Sequence, residues 1–499
     1  MSRLSVLLAT EGTYPFHKGG VSTWCDVLTR RLSEVDFTLL AVTMHPYLEA
    51  NYRLHGNVRR LLTLPLWGIE QSAEFACETP FAVLLERRWR TTERGITAKF
   101  IPAFEEFLGA VTDGPAPRDQ TAASVLTMHD YFQRYDYDTT LRSQAVWDCL
   151  RRALTAIGRG DRRGNSASPT LAEVVEASRL LYHLLQPLNL PAPVVDVTHS
   201  SAAAFCGLPC IVAKLKYGTP FLLTEHGVYV REQYLGLRRS IRSPFVRRFM
   251  YGLVGVVATL NYRYADRVAP VCAYNARWEE WWGVSRDRIR VIYNGANPSV
   301  FCPGVAVKSA RPVVSTVGLI YPLKGQLDLI AAAALVQQHI PAVEFRIYGA
   351  ASDEAYFAAC RESVRDKGLE NTVTFAGQTS QPWQVFREAD VVAAASVSEA
   401  FPYSIIEAML SGAAIVATDV GGVREALGDT GVLAPPRQPQ ALATAIVSLL
   451  SAPAERRRLG AATRTRALQH FTEDKFVAAY RHMYEDLASG QTVRFAQAG

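Results

Sequence analysis

The amino-acid sequence predicts an α/β protein with two large domains, each built on a parallel β-sheet wrapped by helices. The chain has 499 residues, and one hydrophobic core rarely serves more than about 250–300 residues. Short β-rich runs alternate with amphipathic helices, and this alternation restarts at residues 312–320. Apolar residues make up 49% and charged residues 20% of the chain, a composition typical of soluble globular proteins.

The first half carries one set of predicted strands and a long helical interruption. Residues 66 to about 185 are rich in tryptophan, arginine and helical stretches, and this predicts a helical insertion containing a polar loop at 158–170. We expect an N-terminal domain over residues 1–300. Its predicted strands are 4–10, 37–42, 192–200, 220–227, 267–272 and 288–296.

The second half repeats the pattern, which predicts a C-terminal domain over residues 301–475 after a polar, proline-containing hinge at 297–312. Two such domains would leave a cleft between the carboxyl ends of their sheets, where open α/β sheets bind ligands. The predicted strands of this domain are 312–320, 343–350, 373–377, 390–396, 413–422 and 431–436.

Charge and cysteine usage exclude several classes of protein. The net charge of +6 is mild, and no nucleic-acid-binding motif is present, so we expect no nucleic-acid partner. Eight scattered cysteines without a Cys-x-x-Cys pair indicate free thiols in a reducing compartment. The N-terminus leads directly into a strand pattern, and the longest apolar stretches are shorter than the ~20 residues of a membrane span. We therefore expect a cytoplasmic protein.

Two acids stand in an otherwise apolar segment near the C-terminal third. The run 390–396 predicts a buried strand, and the helix that follows ends at Gly412. Glu399 then lies in the strand–helix loop, and Glu407 lies just over one turn inside the helix. Because helical side chains lean toward the N-terminus, both carboxylates can face one ligand.

The start of the same helix is a candidate anion site, since its first backbone N–H groups have no partner within the helix. Pro402 lacks an N–H, so the donors would come from Phe401, Tyr403, Ser404 and their neighbours. A phosphate flanked by carboxylates that accept from hydroxyls describes a sugar nucleotide. The alternative is a capped helix with two solvated acids, and the residues alone leave both interpretations open.

A resemblance to a known family favours the first interpretation. The segment "SEAFPYSIIEAMLSGAAIVATDVGGVRE" resembles the Glu-x7-Glu signature of GT-B retaining glycosyltransferases of the family-four group. Four other stretches match that family in order: "EGTYPFHKGGVSTW", "DVTHSSAAAFCG", "VIYNGANPSVF" and "VGLIYPLKG". With "LPLWG" and "LLTEHGVYVREQY", the chain is similar to the PelF subgroup of exopolysaccharide glycosyltransferases.

The resemblance implies a GT-B fold, with two Rossmann-like domains facing a central cleft and residues 476–499 returning to the N-terminal domain. It implies catalytic roles for Glu399 beside the transferred sugar, Lys324 on the leaving diphosphate and His199 near the acceptor. It also implies a set of donor-binding residues, with Glu407 on the ribose: Glu407, Gly19, Gly20, Phe401, Tyr403, Ser404, Gly318 and Asn294. The candidates for the acceptor or the cleft are His226, Lys18, His17 and Arg231.

The implied reaction keeps the anomeric configuration and needs no metal or separate cofactor. The co-substrate would be a nucleotide sugar, a UDP-sugar, and the acceptor a glycan or lipid-linked glycan in bacterial exopolysaccharide synthesis. No His/Cys cluster with metal-ligand spacing is found. The stretch 231–249 is rich in arginine. It could contact the inner membrane surface, an acidic acceptor or a membrane-associated synthase complex. The alternative is a solvated helix face.

Two positions depart from the family pattern. Leu319 stands where arginine is usual, and Ala400 stands where glycine is usual. Loss of one charged transition-state contact typically costs about 10²–10³ in rate, unless a cation such as Arg231 or Arg277 replaces it. The alternatives to a transferase are therefore a non-catalytic nucleotide-sugar-binding subunit and a sugar-nucleotide epimerase or phosphorylase of the same fold.

Overall fold

The computed structural model describes residues 3–114, 119–159, 168–304 and 309–497, and the chain forms two compact units. Unit 1 comprises Met1–Pro270, Trp278–Arg290 and Arg481–Gly499, and unit 2 comprises Val271–Arg277 and Val291–Tyr480. Part of the predicted hinge and most of the predicted polar loop at 158–170 lie outside the described residues.

Unit 1 is built on a six-stranded parallel sheet with the order β3-β2-β1-β4-β5-β6. In its centre, Val6 of β1 is in register with Phe37 of β2 and with Val197 of β4. Strand β1 runs through buried, apolar residues because helices cover both faces of a parallel sheet. The strands are β1 (Leu4–Glu11), β2 (Val35–Thr43), β3 (Val58–Pro65), β4 (Val197–Ser200), β5 (Phe221–Glu225) and β6 (Arg267–Pro270).

Eight helices, α2 to α9, stand between β3 and β4, which confirms the predicted helical insertion. All of them except α3 contribute residues to a shared apolar core with α12, whose interior residues are almost all buried. The helices up to β6 are α1 (Gly20–Arg31), α2 (Ser72–Ala76), α3 (Phe81–Arg90), α4 (Glu93–Lys99), α5 (Ile101–Asp113), α6 (Asp119–Phe132), α7 (Tyr137–Leu141), α8 (Gln144–Arg159), α9 (Leu171–Leu184), α10 (Leu208–Tyr217), α11 (Tyr229–Ser240) and α12 (Pro244–Tyr264).

Unit 2 repeats the same topology on a second six-stranded parallel sheet, with the order β12-β11-β10-β7-β8-β9. When the strands are counted from the first of each sheet, both sheets have the order 3-2-1-4-5-6 of the Rossmann fold. The strands are β7 (Val313–Val317), β8 (Glu344–Tyr348), β9 (Val373–Gly377), β10 (Val391–Ala394), β11 (Ile415–Thr418) and β12 (Val432–Ala434).

Most of the remaining helices surround the second sheet. Helices α13 and α21 each have residues in both units.

A membrane span needs about 20 apolar residues in a row, and within the described ranges no helix meets that requirement. The helices are α13 (Ala273–Trp281), α14 (Gln326–His339), α15 (Glu354–Asp366), α16 (Pro382–Glu388), α17 (Tyr403–Leu410), α18 (Val423–Leu427), α19 (Pro439–Leu450), α20 (Pro453–His470) and α21 (Glu473–Gln497).

Three strand predictions differ from the structure. The first is an omission, because β3 (Val58–Pro65) is not among the predicted strands. The predicted strand 288–296 forms only two isolated bridges, Val268 with Ile289 and Ala296 with Thr472. Ala296 is buried in an apolar cluster of unit 2. Its side chain packs in this core, although its backbone is not part of a strand ladder. The predicted strand 192–200 shortens to β4, since Pro193 offers no backbone donor to the ladder.

Candidate functional site

A pocket opens in unit 2 where β7 and β10 lie side by side. At these two strands the order of the sheet reverses, and open α/β sheets bind ligands at such a switch point, beyond the carboxyl ends of the strands. The pocket is lined by Thr316, Val317, Gly318, Lys324, Gln326, Ala394, Ala395, Ser396, Glu399, Pro402, Ser404, Ile405, Ala417, Thr418 and Val423.

An ion pair between Lys324 and Glu399 forms the charged part of this pocket. The Lys324 Nζ lies 2.5 Å from the Glu399 Oε1, and the Ser396 hydroxyl donates to the same oxygen at 2.7 Å. Burial alone would lower the pKa of Lys324, but the Glu399 carboxylate raises it above its ordinary value. Lys324 is therefore a cation at neutral pH, held in place by an acid from the neighbouring loop.

A glycine positions the lysine. Gly325 follows Lys324 directly and has φ +65°, a left-handed conformation that favours glycine. A Cβ at Gly325 would lie 2.0 Å from the Ala395 carbonyl oxygen, so any side chain there would separate the two loops. Helix α14 starts at the next residue, Gln326, whose Nε2 donates to the Leu319 carbonyl and closes the loop after β7.

A second glycine, Gly421, positions the backbone of Glu399. The sequence did not predict a role for this glycine. Gly421 has φ +56°, and a Cβ on it would lie 1.7 Å from the Glu399 carbonyl oxygen. Its neighbour Gly422 donates its backbone N–H to the Ala400 carbonyl at 2.7 Å. The available signal was a Gly-Gly pair that follows the buried strand β11 after two residues, at the same sheet edge as Glu399.

Helix α17 begins at Tyr403, and its first turn contributes Pro402, Ser404 and Ile405 to the pocket. Phe401 and Asn294 do not line the pocket and instead contact each other behind its lining. Phe401 is buried between aromatic rings, and its carbonyl accepts from the Asn294 Nδ2 at 2.9 Å. These two residues hold the loop that carries Glu399, and neither they nor Tyr403 line the pocket.

Glu407 differs from Glu399 in its surroundings. It lies one turn into α17, is partly buried and is not among the residues that line the pocket. Burial raises its pKa to about 7. Among the described residues nothing donates a hydrogen bond to its carboxylate, whereas the Glu399 carboxylate has two partners.

Gly318 and Leu319 form the start of the loop after β7. Gly318, a predicted donor-binding residue, lines the pocket. Leu319, which replaces the arginine usual in the family resembled, is 38% exposed. The proposed substitute Arg277 has its guanidinium 3.7 Å above the ring centroid of Tyr274. No arginine is among the lining residues of the pocket.

Two of the three candidate histidines, His199 and His226, are buried or partly buried in unit 1. His199 has no exposed surface, with Nδ1 2.7 Å from the Tyr484 hydroxyl and Nε2 2.8 Å from the Thr224 hydroxyl. Burial, and then His226, lower its pKa well below the ordinary value. Burial also lowers the pKa of His226 to about 3, and its ring packs edge-on against Trp24 at 4.7 Å. Both imidazoles are neutral at neutral pH.

The other candidates in unit 1 are exposed. His17, Lys18 and Gly19 precede α1, and Gly20 is its first residue. No side chain caps this helix start. Arg231 lies on the exposed side of α11. Within the described part of the chain, no group of His, Cys, Asp and Glu residues is arranged to hold a metal ion.

Solved structures with similar folds align with nearly the whole chain. Sucrose-phosphate synthase from Thermosynechococcus elongatus has a TM-score of 0.63 at 18% identity, covering 98% of this chain and all of that one. Anabaena Alr3699/HepE in complex with UDP has a TM-score of 0.57 at 15% identity, covering 97% of this chain and all of that one. This similarity confirms the predicted α/β fold of the GT-B type, with two Rossmann-like sheets.

Curated relatives match part of the chain. The D-inositol 3-phosphate glycosyltransferase of Nocardia farcinica is 35% identical over 39% of this chain and 47% of its own length. The alpha-maltose-1-phosphate synthase of Mycolicibacterium smegmatis is 28% identical over 61% of this chain and 82% of its own length. The chain thus spans about half the length of the D-inositol 3-phosphate glycosyltransferases that it matches.

Two family models match consecutive parts of the chain. The model described as "Domain of unknown function (DUF3492)" matches residues 4–287, and the model described as "Glycosyl transferases group 1" matches residues 311–452, which contain the pocket. Because the first model covers more than half of the chain, the protein belongs to the DUF3492 family and carries a group 1 glycosyltransferase domain in its C-terminal part.

Proposed function

We propose that this protein is a metal-independent, retaining glycosyltransferase that moves a sugar from a UDP-sugar to a glycan or lipid-linked acceptor. The observation that carries the proposal is the ion pair of Lys324 and Glu399 inside the pocket at the β7–β10 switch point. The pocket also includes the first turn of α17, which offers backbone donors to an anion.

The reaction needs a positive charge where the donor diphosphate leaves. Lys324 supplies this charge from a partly buried position, and its side chain is already oriented by Glu399. A preorganised cation in a site of low dielectric constant contributes several kcal/mol to stabilising such a leaving group. When the diphosphate binds Lys324, the Glu399 carboxylate becomes free to accept hydrogen bonds from hydroxyls of the transferred sugar.

The ribose of the donor would bind Glu407. Its carboxylate has no hydrogen-bond donor among the described residues, and burial raises its pKa to about 7. A pair of hydroxyls can satisfy such an acceptor, and a hydrogen bond to an ionised carboxylate is roughly twice as strong as a neutral one.

The step itself keeps the anomeric configuration. The acceptor hydroxyl attacks the anomeric carbon from the face that the diphosphate leaves, the bond to the phosphate oxygen breaks, and that oxygen takes the proton of the hydroxyl. His199 is not used as a base in this proposal, because both its ring nitrogens are within hydrogen-bonding distance of hydroxyl groups in a buried position. Gly19, Gly20 and the exposed His17 and Lys18 remain candidates for contacts with substrate.

Similar proteins support the choice of substrates. A structure with the same fold is described in complex with UDP, and relatives are named as a glycosyltransferase and as a maltose phosphate synthase. We extend the proposal to exopolysaccharide synthesis of the PelF type, in the cytoplasm, with a membrane-associated synthase complex as partner. The exposed arginines of α11 and α12, including Arg231, support such a contact.

A second candidate function is a binding subunit without turnover. The observation in its favour is Leu319, an exposed apolar side chain next to Gly318 at the entrance of the phosphate loop. Loss of a cation there would leave Lys324 as the only charged donor of the pocket lining.

Calorimetric titration with UDP, GDP, ADP and CDP tests the proposal. We expect selective binding of UDP that is weakened in Lys324→Ala and Glu407→Ala, followed by turnover of a UDP-sugar. Binding without turnover in the presence of glycan acceptors would favour the binding subunit. No binding of any nucleotide at millimolar concentration would contradict the assignment of the pocket.

A further inference from the structure

Unit 1 contains a pocket of its own, within the helical insertion. The loop after β3, the junction of α7 with α8, and one side of α9 enclose it. The residues come from three separate stretches, 68–70, 141–147 and 178–183, so the pocket exists only in the folded insertion. None of them takes part in the nucleotide site proposed above, which belongs to unit 2.

Aromatic side chains with fixed orientations line this pocket. Trp147, Tyr182 and His183 are each partly buried, which leaves part of every ring accessible. Trp67 stacks on His183 with a centroid distance of 5.1 Å, and Tyr182 meets His183 edge-on at the same distance. Accessible rings held by their neighbours provide contact area at little cost in conformational entropy.

The polar groups in the pocket suit hydroxyls. The His183 Nδ1 lies 2.5 Å from the Leu66 carbonyl oxygen and must therefore donate a proton to it. Burial lowers the pKa of His183, so the ring is neutral and its Nε2 is an acceptor. Among the described residues the Nε2 has no partner. Arg179 is exposed at the rim and has no ion pair among the described residues, so its guanidinium donors are available.

The charge balance disfavours a polyanion. Arg142 is bound to Asp138 at 2.6 Å and to Glu70 at 3.4 Å, and its guanidinium lies over the Tyr182 ring. Its charge is therefore compensated, which leaves Arg179 as the uncompensated cation of the lining and Glu70 as a carboxylate that would repel phosphate. A nucleotide or a phosphorylated chain would find little positive field here.

We propose that this pocket binds a segment of a neutral glycan chain. Pyranose rings have an apolar C–H face, which would stack on Trp147, and a rim of hydroxyls, which would pair with the His183 Nε2 and the Arg179 guanidinium. Binding sites for small molecules combine apolar, aromatic walls with a few polar groups in this way. That the bound chain is the acceptor or the product rests on the proposed function, but the binding itself does not.

Calorimetry on the full-length protein tests this site with three neutral probes: maltohexaose, cellohexaose and chitohexaose. We expect at least one to bind, and its affinity to fall by about tenfold or more in Trp147→Ala and in Arg179→Ala. The matched control is Trp89→Ala. Trp89 is 79% exposed on α3 of the same insertion, outside the pocket, and its loss should leave binding unchanged. Arg179 is exposed, so Arg179→Ala should fold normally even where Trp147→Ala does not.

Three results would overturn the inference. The first is an absence of heat with all three probes up to about 10 mM, a weak limit for specific binding. The second is binding that both variants retain in full, and the third is competition of the glycan with UDP. In Lys324→Ala, glycan binding should persist while UDP binding is weakened, which separates a failure of this inference from a failure of the proposed function.

Discussion

The two sheets share one strand order, yet the acids at their carboxyl edges have opposite surroundings. In unit 1, Glu225 ends β5 and accepts from the Tyr262 hydroxyl at 2.7 Å and from the Ala203 N–H at 3.1 Å. Glu11 ends β1 and accepts from the Cys206 N–H and the Tyr229 hydroxyl, both at 3.2 Å. In unit 2, Glu399 follows β10 and forms an ion pair with Lys324 in the lining of a pocket.

The difference shows that a carboxylate at the edge of a Rossmann-like sheet is not by itself a binding group. Burial raises the pKa of Glu225 to about 8 and, together with Glu225, that of the fully buried Glu279 to about 9. These acids are neutral at pH 7 and belong to the interior of unit 1. Glu399 is instead paired with the Lys324 cation. In the proposed function an anionic ligand binds this cation and frees the carboxylate.

The largest expected effect is on the cation of unit 2. Lys324→Met keeps most of the length of the side chain and removes the charge. Turnover of a UDP-sugar should fall by about 10²–10³ because the leaving diphosphate loses its preorganised counter-ion. Steady-state kinetics measure the change. Lys367→Met, at an exposed lysine of the same unit, is the control and should retain full turnover. If Lys324→Met were as active as the control, the ion pair would have only a structural role.

A second test addresses the neutral acids of unit 1. The pKa of Glu279 is raised to about 9 in the folded protein from 4.5, so the folded state holds a proton that the unfolded state releases. Its contribution to stability is complete below pH 4.5 and is lost as the pH rises toward 9, at about 1.4 kcal/mol per pH unit. Glu279→Gln should remove this loss and raise the free energy of unfolding at pH 7 by about 3 kcal/mol.

Urea denaturation at pH 5, 7 and 8.5 measures that effect. Glu280→Gln is the matched control, since Glu280 is the next residue and forms an ion pair with Arg286. It should leave the pH dependence of unfolding unchanged. An unaltered pH dependence in Glu279→Gln would mean that Glu279 is ionised in the folded protein, and the contrast between the two units would not hold for it.

A third, smaller effect is expected at Gly421, which holds the backbone of Glu399. Gly421→Ala combines a strained φ with a Cβ that meets the Glu399 carbonyl oxygen, so the loop must move. UDP-sugar turnover should fall by about tenfold. Gly368→Ala has nearly the same φ, +63°, and open space around its Cβ, so it isolates the strain. Equal turnover in both variants would show that the position of Glu399 does not depend on Gly421.

The smallest effect concerns the pH dependence of nucleotide binding. The pKa of Glu407 is raised to about 7 by burial, and the ionised carboxylate is the better acceptor for ribose hydroxyls. The affinity for UDP should therefore rise severalfold between about pH 6 and pH 8, as Glu407 loses its proton. Calorimetry at both pH values should give a nearly flat profile for Glu407→Gln. A flat profile in the unaltered protein would place the ribose elsewhere.

The sequence predicts the periodic parts of this protein well. The second sheet, five strands of the first sheet, the helical insertion and the helix that follows Glu399 agree with the structure, because strand and helix patterns are local. Strand β3 was not predicted. The predicted strand at 288–296 was wrong, since buried apolar residues pack in an extended segment without a ladder. The partners of the acids could not be predicted. Whether Glu279 is neutral, or Lys324 reaches Glu399, depends on residues far apart in the chain.

The contacts of Gly325 and Gly421 have a consequence for naturally occurring and engineered variants. Neither residue has a functional group, yet each stands where a single methyl would collide with the carbonyl of a neighbouring loop. In a saturation mutagenesis screen scored by activity, both positions should be as intolerant as Lys324 itself. Glycines of this kind would then be mistaken for catalytic residues unless folding is scored in parallel, and they indicate which loops must keep their backbone when the donor preference is redesigned.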